Sequence, residues 1–455
     1  MSFSSLAFLI RFFPAVILLY YVCPARFRNV FLIMSSLFFY AWGDLKGLIF
    51  LAAASAVGYL GHILIKKTEG RKKTAVFVLS LVCVLGMLVV FKYTGLVTQT
   101  LNGFGAPLPV ISFLPPAGIS FFCFTIASFL IDSYRNELEG DPSLIEYLLY
   151  VTFFPKLLMG PIVRFREMNA QLSDRTVSSD DLERGALLFV RGLAKKVILA
   201  DNISALWKDV CEIGFAASSS LLCWVGIIAF AFQLYYDFSG YSDMAMGISL
   251  FFGFSIPENF TTPYSSVSVS EFWRRWHITM GAWFRQYVYF PLGGSRCSRL
   301  RNVLNLFAVW ALTGLWHGAS WNYLLWGLFY FVILTLEKNL YGSFLEKNRL
   351  IGHVYTTFIT LIGWTLFAVT DLSEIPVIFS RMFAGTGGVS ALYYLRNYAV
   401  LLVVCLLLCT QQASKVWDKL VSNRTARAVA TVVLILLSLA YITDSTYQPF
   451  LYAQF

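Results

Sequence analysis

Apolar positions recur along this chain in blocks about 15 to 35 residues long, from Phe3 to Ala440, with only short polar stretches between them. A helix crossing a bilayer needs roughly 20 apolar residues. The blocks predict spans near 3–22, 29–42, 45–65, 73–95, 112–133, 185–203, 218–237, 239–256, 352–371, 394–413 and 427–443. With the long run 303–334, they predict about ten to twelve crossings and a carboxyl end on the outer side. The 29–42 block is short enough to tilt or stop partway. Phe3 to Val22 reads as a first span, because it lacks a basic lead-in, contains Arg11 and shows no small-residue cleavage pattern.

Four interruptions break the apolar pattern. Between Tyr147 and Val163, Pro155 and the Gly160-Pro161 pair each remove helical hydrogen bonds, which predicts a re-entrant or broken segment with Lys156 inside it. The 185–203 block carries Arg191, Lys195, Lys196 and Asp201. A central charge costs at least about 2.5–3.5 kcal/mol in lipid, so this helix is expected near the interface or facing protein. Asp237 and Asp243 fall between two apolar blocks, either in a capped junction between helices or in an internal polar network. Pro376 to Phe383 reads as a short in-plane segment.

The stretch Ser268 to Asn322 concentrates the unusual chemistry. Ser268 and Glu271 match a capping box, and Trp273, Trp276, His277, Met280 and Phe284 follow at helical spacing on one face. Arg274, Arg275 and Arg285 lie largely off that face. The pattern suits a helix at the membrane interface. A Gly293-Gly294 turn and Arg296, Arg299 and Arg301 follow, read as a loop or as ligands for an anion. Val303 to Leu334 is almost continuously apolar for about 32 residues, with Thr313, Gly314, His317, Gly318, Ser320 and Asn322 near its middle. Two helices meeting there, or one long tilted helix, would put His317 deep in the membrane, where an imidazole is costly unless paired or solvated.

Composition fixes the class. Hydrophobic residues make up 58% of the 455 and charged residues 13%, about half the charged share of soluble domains. The expectation is one polytopic, all-helical membrane domain over residues 1–455, with amino-terminal helices 1–133, a core at about 150–335 and carboxyl-terminal helices 350–455. The net charge of +10 sits in short clusters between apolar runs, such as Lys66 to Lys73, and these read as cytoplasmic loops rather than a nucleic-acid surface. The eight cysteines are scattered with no CxxC, so neither a disulfide framework nor a metal site is expected.

Three blocks carry a resemblance: Glu271-Phe-Trp-Arg-Arg-Trp-His277-Ile-Thr, Tyr287-Val-Tyr-Phe-Pro-Leu-Gly-Gly294 and Leu315-Trp-His317-Gly-Ala-Ser-Trp-Asn322. They resemble signature blocks of the membrane-bound O-acyltransferases, in the bacterial branch that modifies alginate, peptidoglycan and teichoic acid. Phe153 to Val163, Tyr236 to Asp243, Pro257 to Phe260 and Pro449 to Tyr452 are similar to further family blocks. The resemblance implies a ring of helices around a funnel, with His317 matching the essential histidine and His277 the second histidine of the branch. It also implies a cytoplasmic acyl thioester as co-substrate, either acetyl-CoA or an acylated carrier protein, with no permanently bound cofactor. The acceptor would be a hydroxyl of an envelope polysaccharide or of an extracytoplasmic serine-hydrolase-like partner, and the setting a bacterial cytoplasmic membrane.

A thioester needs no activation of its leaving group, so the missing component is a base for the attacking hydroxyl. Neutral histidine can supply it, and His317 is the expected base, with His277 secondary. Thr313 or Asn322 is expected to hold the ring or donate to the oxyanion. Trp316, Trp273 and Trp276 are expected along the walls, and Arg274, Arg275, Arg285 and Arg296 on the donor. No serine or cysteine is marked as a nucleophile by its neighbours. D-alanyl transfer is the alternative chemistry; a transporter, scramblase or recruiting scaffold is the alternative class.

Overall fold

The computed structural model describes residues 2–444 and 450–451. It is helical throughout, with two isolated β-bridges among the described residues. The chain packs as two compact units, Met1–Phe189 with Tyr241–Glu258, and Val190–Gly240 with Asn259–Phe455.

The first unit opens with α1 (Ala7–Val22), α2 (Arg28–Gly43), α3 (Gly47–Lys67), α4 (Gly70–Gly103) and α5 (Ile119–Tyr134). Phe3, Phe8, Phe12, Phe39 and Phe154 interlock in one buried aromatic cluster. Helix α6 (Leu144–Thr152) begins at a reciprocal capping box between Ser143 and Glu146. It stops before Pro155. A single turn, Phe154–Leu157, follows, then extended chain and α7 (Phe165–Ser173). The freed backbone groups find side chains: Phe154 N–H donates to Ser36 Oγ at 3.1 Å, and the Tyr150 hydroxyl to the Val163 carbonyl at 2.9 Å. Lys156 is buried with its ammonium 4.4 Å from the Tyr150 ring centroid.

Two expectations about elements change here. The 185–203 block is part of a longer amphipathic run, α8 (Ser179–Ala194), a π-turn Lys195–Ala200, and α9 (Asp201–Ile213). Its first turn is acidic at Asp180 and Asp181, while Lys196, in the π-turn, points into the protein. The two spans expected at 218–237 and 239–256 are one unbroken 32-residue helix, α10 (Ser220–Phe251). There is no junction for Asp237 to cap. Within the second unit its carboxylate instead takes an ion pair from Lys196 at 2.8 Å, and Lys196 also reaches Asp201 at 2.7 Å. The Leu451 N–H donates to the other Asp237 oxygen at 2.8 Å, with the Phe450 ring 4.6 Å from the Lys196 ammonium. Asp243, six residues on, is buried in the first unit.

The second unit continues with α11 (Val269–Arg275), α12 (Ile278–Phe284), α13 (Arg299–His317), α14 (Trp321–Leu336), α15 (Arg349–Ala368), α16 (Glu374–Ala384), α17 (Leu392–Leu408), α18 (Gln411–Ser422) and α19 (Arg424–Asp444). Helices α17 and α18 meet at 77°. Pro449 and Tyr452 of the last sequence block, and the carboxyl end, lie outside the described residues.

Among the described residues, six helices are long and apolar enough to cross a membrane, or seven if the bent pair is one span. Ala7–Val22 and Ile119–Tyr134 are apolar but shorter. The count falls below ten to twelve because 218–256 is one helix, 185–203 is amphipathic, α13 opens on a basic turn, α1, α2 and α5 are too short to be counted, and α17 counts only together with α18. The protein is a multi-pass, all-helical membrane protein.

Candidate active site

The apolar run 303–334 is a helical hairpin, which decides between the two readings of that stretch. Helix α13 ends at His317 because Gly318 is extended (φ −170°, ψ 161°), and Ser320 starts α14 from the N-cap position. The two helices pack backbone to backbone. A Cβ on Gly314 would lie 2.4 Å from the Tyr323 carbonyl oxygen, and one on Gly327 2.4 Å from that of Trp310. Only glycine permits that approach.

The hairpin puts His317 at its bend, 3% exposed, with the rings of Trp316, Trp326 and Phe367 steeply inclined to the imidazole at centroid distances of 4.9, 5.0 and 5.2 Å. Asn322 ties the bend to the end of α15, its amide nitrogen donating to the Leu366 and Phe367 carbonyls, each at 3.1 Å. Both amide hydrogens are thereby directed at the backbone, so Asn322 does not fit the expected role of oxyanion donor; it is a brace. Thr313 gives its hydroxyl proton to the Val309 carbonyl at 2.7 Å. It too is no donor, and can act only through its lone pairs.

His277 departs from the expected continuous helix. The chain breaks between α11 and α12, with His277 in the left-handed region at φ 46°, ψ 52°. Such a conformation is uncommon outside glycine, though less so for histidine. Asn259 holds it there. Its carbonyl accepts from Ile278 N–H at 3.0 Å, and its Oδ1 accepts from Thr279 N–H (3.2 Å), Thr279 Oγ1 (2.9 Å) and His277 Nδ1 (3.1 Å). A backbone N–H can only donate, so that atom of Asn259 is an acceptor and His277 Nδ1 carries the proton. Nε2 is left as the basic atom of the neutral ring. His277 is fully buried between two short helices, neither of which can span a bilayer. Burial pushes its pKa down to about 3 and keeps the ring neutral.

A cavity of about 690 Å³ opens beside this break. Trp273, Trp276, His277, Met280 and Phe284 all line it, so the face read from the spacing survives the break and looks into a cavity rather than lipid. Thr313 lines it as well, and the lining stops one helical turn short of His317. Trp316 stands between the two imidazoles, 5.8 Å from His277 and 4.9 Å from His317 by ring centroids. The indole N–H groups of Trp273 and Trp326 are buried with no hydrogen-bond partner among the described residues.

Of the four arginines expected on a donor, Arg274 and Arg285 line the cavity. Arg275 turns to Glu271 in an ion pair at 2.6 Å, and Arg296 lies exposed in the turn after Gly294. Neither contributes to the lining. Lys338, also on the lining, donates to Asn302 Oδ1 at 2.7 Å. Glu337 sits beside it, buried, and accepts from the Val269 and Ser270 N–H groups at 2.8 and 2.7 Å. It therefore shares the start of α11 with Ser268, whose Oγ accepts from Glu271 N–H at 3.1 Å. Glu271 accepts from Val267 N–H rather than from Ser268, so the capping box is not closed in its reciprocal form.

The sequence profile of the membrane-bound O-acyltransferase family, MBOAT, matches residues 30–360, nearly three-quarters of the chain, including both histidines and the whole cavity lining. The chain belongs to that family. Its similarity to named members is extensive. It is 37% identical over 397 residues to the probable alginate O-acetylase AlgI of Azotobacter vinelandii, covering 84% of this chain and 78% of that one. It is 30% identical over 429 residues to the peptidoglycan O-acetyltransferase of Helicobacter pylori, covering 85% and 80%. Over a shorter stretch of 290 residues it is 29% identical to the teichoic acid D-alanyltransferase of Bacillus subtilis, covering 58% and 70%. The protein is a membrane-bound O-acyltransferase.

Sequence reasoning missed several residues around the site of this MBOAT chain. Asn259 lies in the Pro257 to Phe260 block, but nothing in one sequence tells that its side chain crosses to residue 277. Trp326 and Phe367 read as ordinary apolar helix positions. Glu337 and Lys338 end a long apolar run, where charges are expected anyway. A buried carboxylate capping a distant helix has no local pattern.

Proposed function

We propose that this enzyme transfers an acetyl group from a cytoplasmic thioester to a hydroxyl of a cell-envelope polysaccharide, directly or through an extracytoplasmic partner, in a bacterial cytoplasmic membrane. What carries the proposal is the cavity itself: three cations, Arg274, Arg285 and Lys338, line it against two carboxylates, Glu337 and Glu346, and it ends at a buried neutral imidazole one aromatic ring away from a second. A donor with an anionic carrier and a long thin arm, acetyl-CoA or an acylated carrier protein, suits such a cavity. Acetyl is favoured over D-alanyl by the greater identity and coverage of the alginate and peptidoglycan O-acetylating relatives.

In the reaction the acceptor oxygen attacks the thioester carbonyl while an imidazole nitrogen takes the hydroxyl proton. The tetrahedral intermediate collapses, the C–S bond breaks, and the thiolate leaves and recovers the proton from the imidazolium. His317 is the base. Its seat at the bend of a rigid hairpin fixes the ring, and His277 orients the donor from the cavity side. Trp273, with its indole N–H buried beside the cavity, is the donor to the developing oxyanion in place of Asn322.

A second assignment has an observation of its own. The cavity reaches His277, whose proton position is set by Asn259, and this would make His277 the base and His317 the positioning ring. Complementing a deletion strain with each variant separates the two by the acetyl content of the envelope. His317→Ala is expected to abolish acetylation and His277→Gln to reduce it; the reverse order would transfer the role. Unchanged acetylation with His317→Ala would remove His317 from the chemistry.

A further inference from the structure

The second unit holds another cavity, of about 590 Å³, away from the two histidines. Its walls come from α10, α15 and α17, with Phe232, Leu361 and Leu406 among the apolar lining. Its polar residues gather where α15 begins and α17 ends. Arg349 and His353 are there, and the first residues of α18, Gln411 and Gln412, complete that end. No carboxylate lines it.

The length and composition of α15 make that end a membrane boundary. Helix α15 starts at Arg349 and is long and apolar enough to span, whereas α18 leaves α17 at 77° and carries Lys415, Asp418 and Lys419 along an amphipathic helix of 12 residues. A helix turned in this way lies along the interface. Its first turn is anchored to the cavity, since Gln411 N–H donates to Ser265 Oγ at 3.2 Å. His353 is oriented there too, with Nδ1 within 3.2 Å of the Ser266 carbonyl as its donor, which turns Nε2 away from that backbone. The arrangement is an apolar slot with a cation and a helix start at its open end. The guanidinium favours an anion there, and the α18 dipole adds to it although Thr410 Oγ1 and Ser265 Oγ already accept from the Ala413 and Gln411 N–H groups.

We infer that this cavity holds one anionic glycerophospholipid of the surrounding bilayer. The phosphate sits against Arg349 and the start of α18, and one acyl chain lies between α10, α15 and α17. The site is independent of the acyl-transfer reading, because none of its residues belongs to the histidine cavity. The occupant is a lipid rather than a free phosphate because most of the slot is hydrocarbon-lined, and burying a chain there contributes roughly 0.8 kcal/mol per methylene.

The test is native mass spectrometry of the full-length protein in non-ionic detergent, titrated separately with phosphatidylglycerol, phosphatidylcholine and glycerol phosphate. One phosphatidylglycerol per chain is expected to be retained at least fivefold better than phosphatidylcholine, with glycerol phosphate not retained. Arg349→Gln should bring phosphatidylglycerol down to the phosphatidylcholine level, and Arg349→Lys should keep most of the preference. Leu406→Trp, which fills the slot, should lower retention of both lipids. Arg349 is exposed, so its variants are expected to melt with the wild type, which keeps the comparison interpretable. Equal retention of the two lipids by wild type, an undiminished preference in Arg349→Gln, or retention of glycerol phosphate alone would each overturn the assignment.

Discussion

His277 is held in a conformation that costs a non-glycine residue of order 1–3 kcal/mol, and the Asn259 side chain accepts three of the hydrogen bonds that hold it. Asn259→Ala is therefore expected to relax residues 276–279, lower the melting temperature and reduce transfer at least tenfold; wild-type activity in that variant would show that the turn does not need its clamp. The ring's titration gives a second outcome. A pKa lowered to about 3 in the folded protein, against 6.5 in the unfolded chain, means that the unfolded state binds the extra proton between those values. Stability from this group is present above pH 6.5 and is lost as pH falls. Between pH 7 and pH 5 the wild type should lose about 1–2 kcal/mol that His277→Gln does not lose, as read by thermal melting in detergent. At this scale the sequence named both histidines, because two imidazoles in so apolar a chain stand out. It could not name Asn259 or fix the orientation of Asn322, since both depend on partners at least 18 residues away.

The helices show the same division between local and distant causes. The α13–α14 hairpin was half legible: small and polar residues in the middle of a 32-residue apolar run mark a break or a tilt, and only the approach at Gly314 and Gly327 shows which. Gly314→Leu is expected to force the helices apart and abolish folding, read as loss of a monodisperse peak in detergent, while Ala311→Leu on the same helix is tolerated. Helix α10 misled the pattern for a physical reason. A polar Tyr-Asp-Phe-Ser-Gly stretch looks like a junction when its carboxylate has no visible partner, and the partner, Lys196, lies 41 residues earlier. Lys196→Met should cost about 3–5 kcal/mol by leaving Asp237 and Asp201 buried without their cation. Lys196→Met combined with Asp237→Asn should recover part of that loss. A double variant no better than the single would show that the attraction between these groups is not what the lysine supplies.

For the molecule as a whole, hydropathy was enough to identify an all-helical membrane protein, and the histidine blocks were enough for its family, because both signals are local and repeated. The number of helices long and apolar enough to span was not legible, since an amphipathic helix and a spanning helix differ in where their charges point rather than in how many they carry. The central claim is that acyl transfer depends on the imidazole at the bend of the hairpin. Purified protein in proteoliposomes, given a radiolabelled acetyl thioester on one side and, on the other, a soluble polysaccharide acceptor with an envelope extract that supplies any extracytoplasmic partner, tests it in a single turnover. Wild type should label the acceptor, and His317→Ala should do so at least about 10² times more slowly with an unchanged melting temperature. Equal labelling by wild type and His317→Ala would contradict the account.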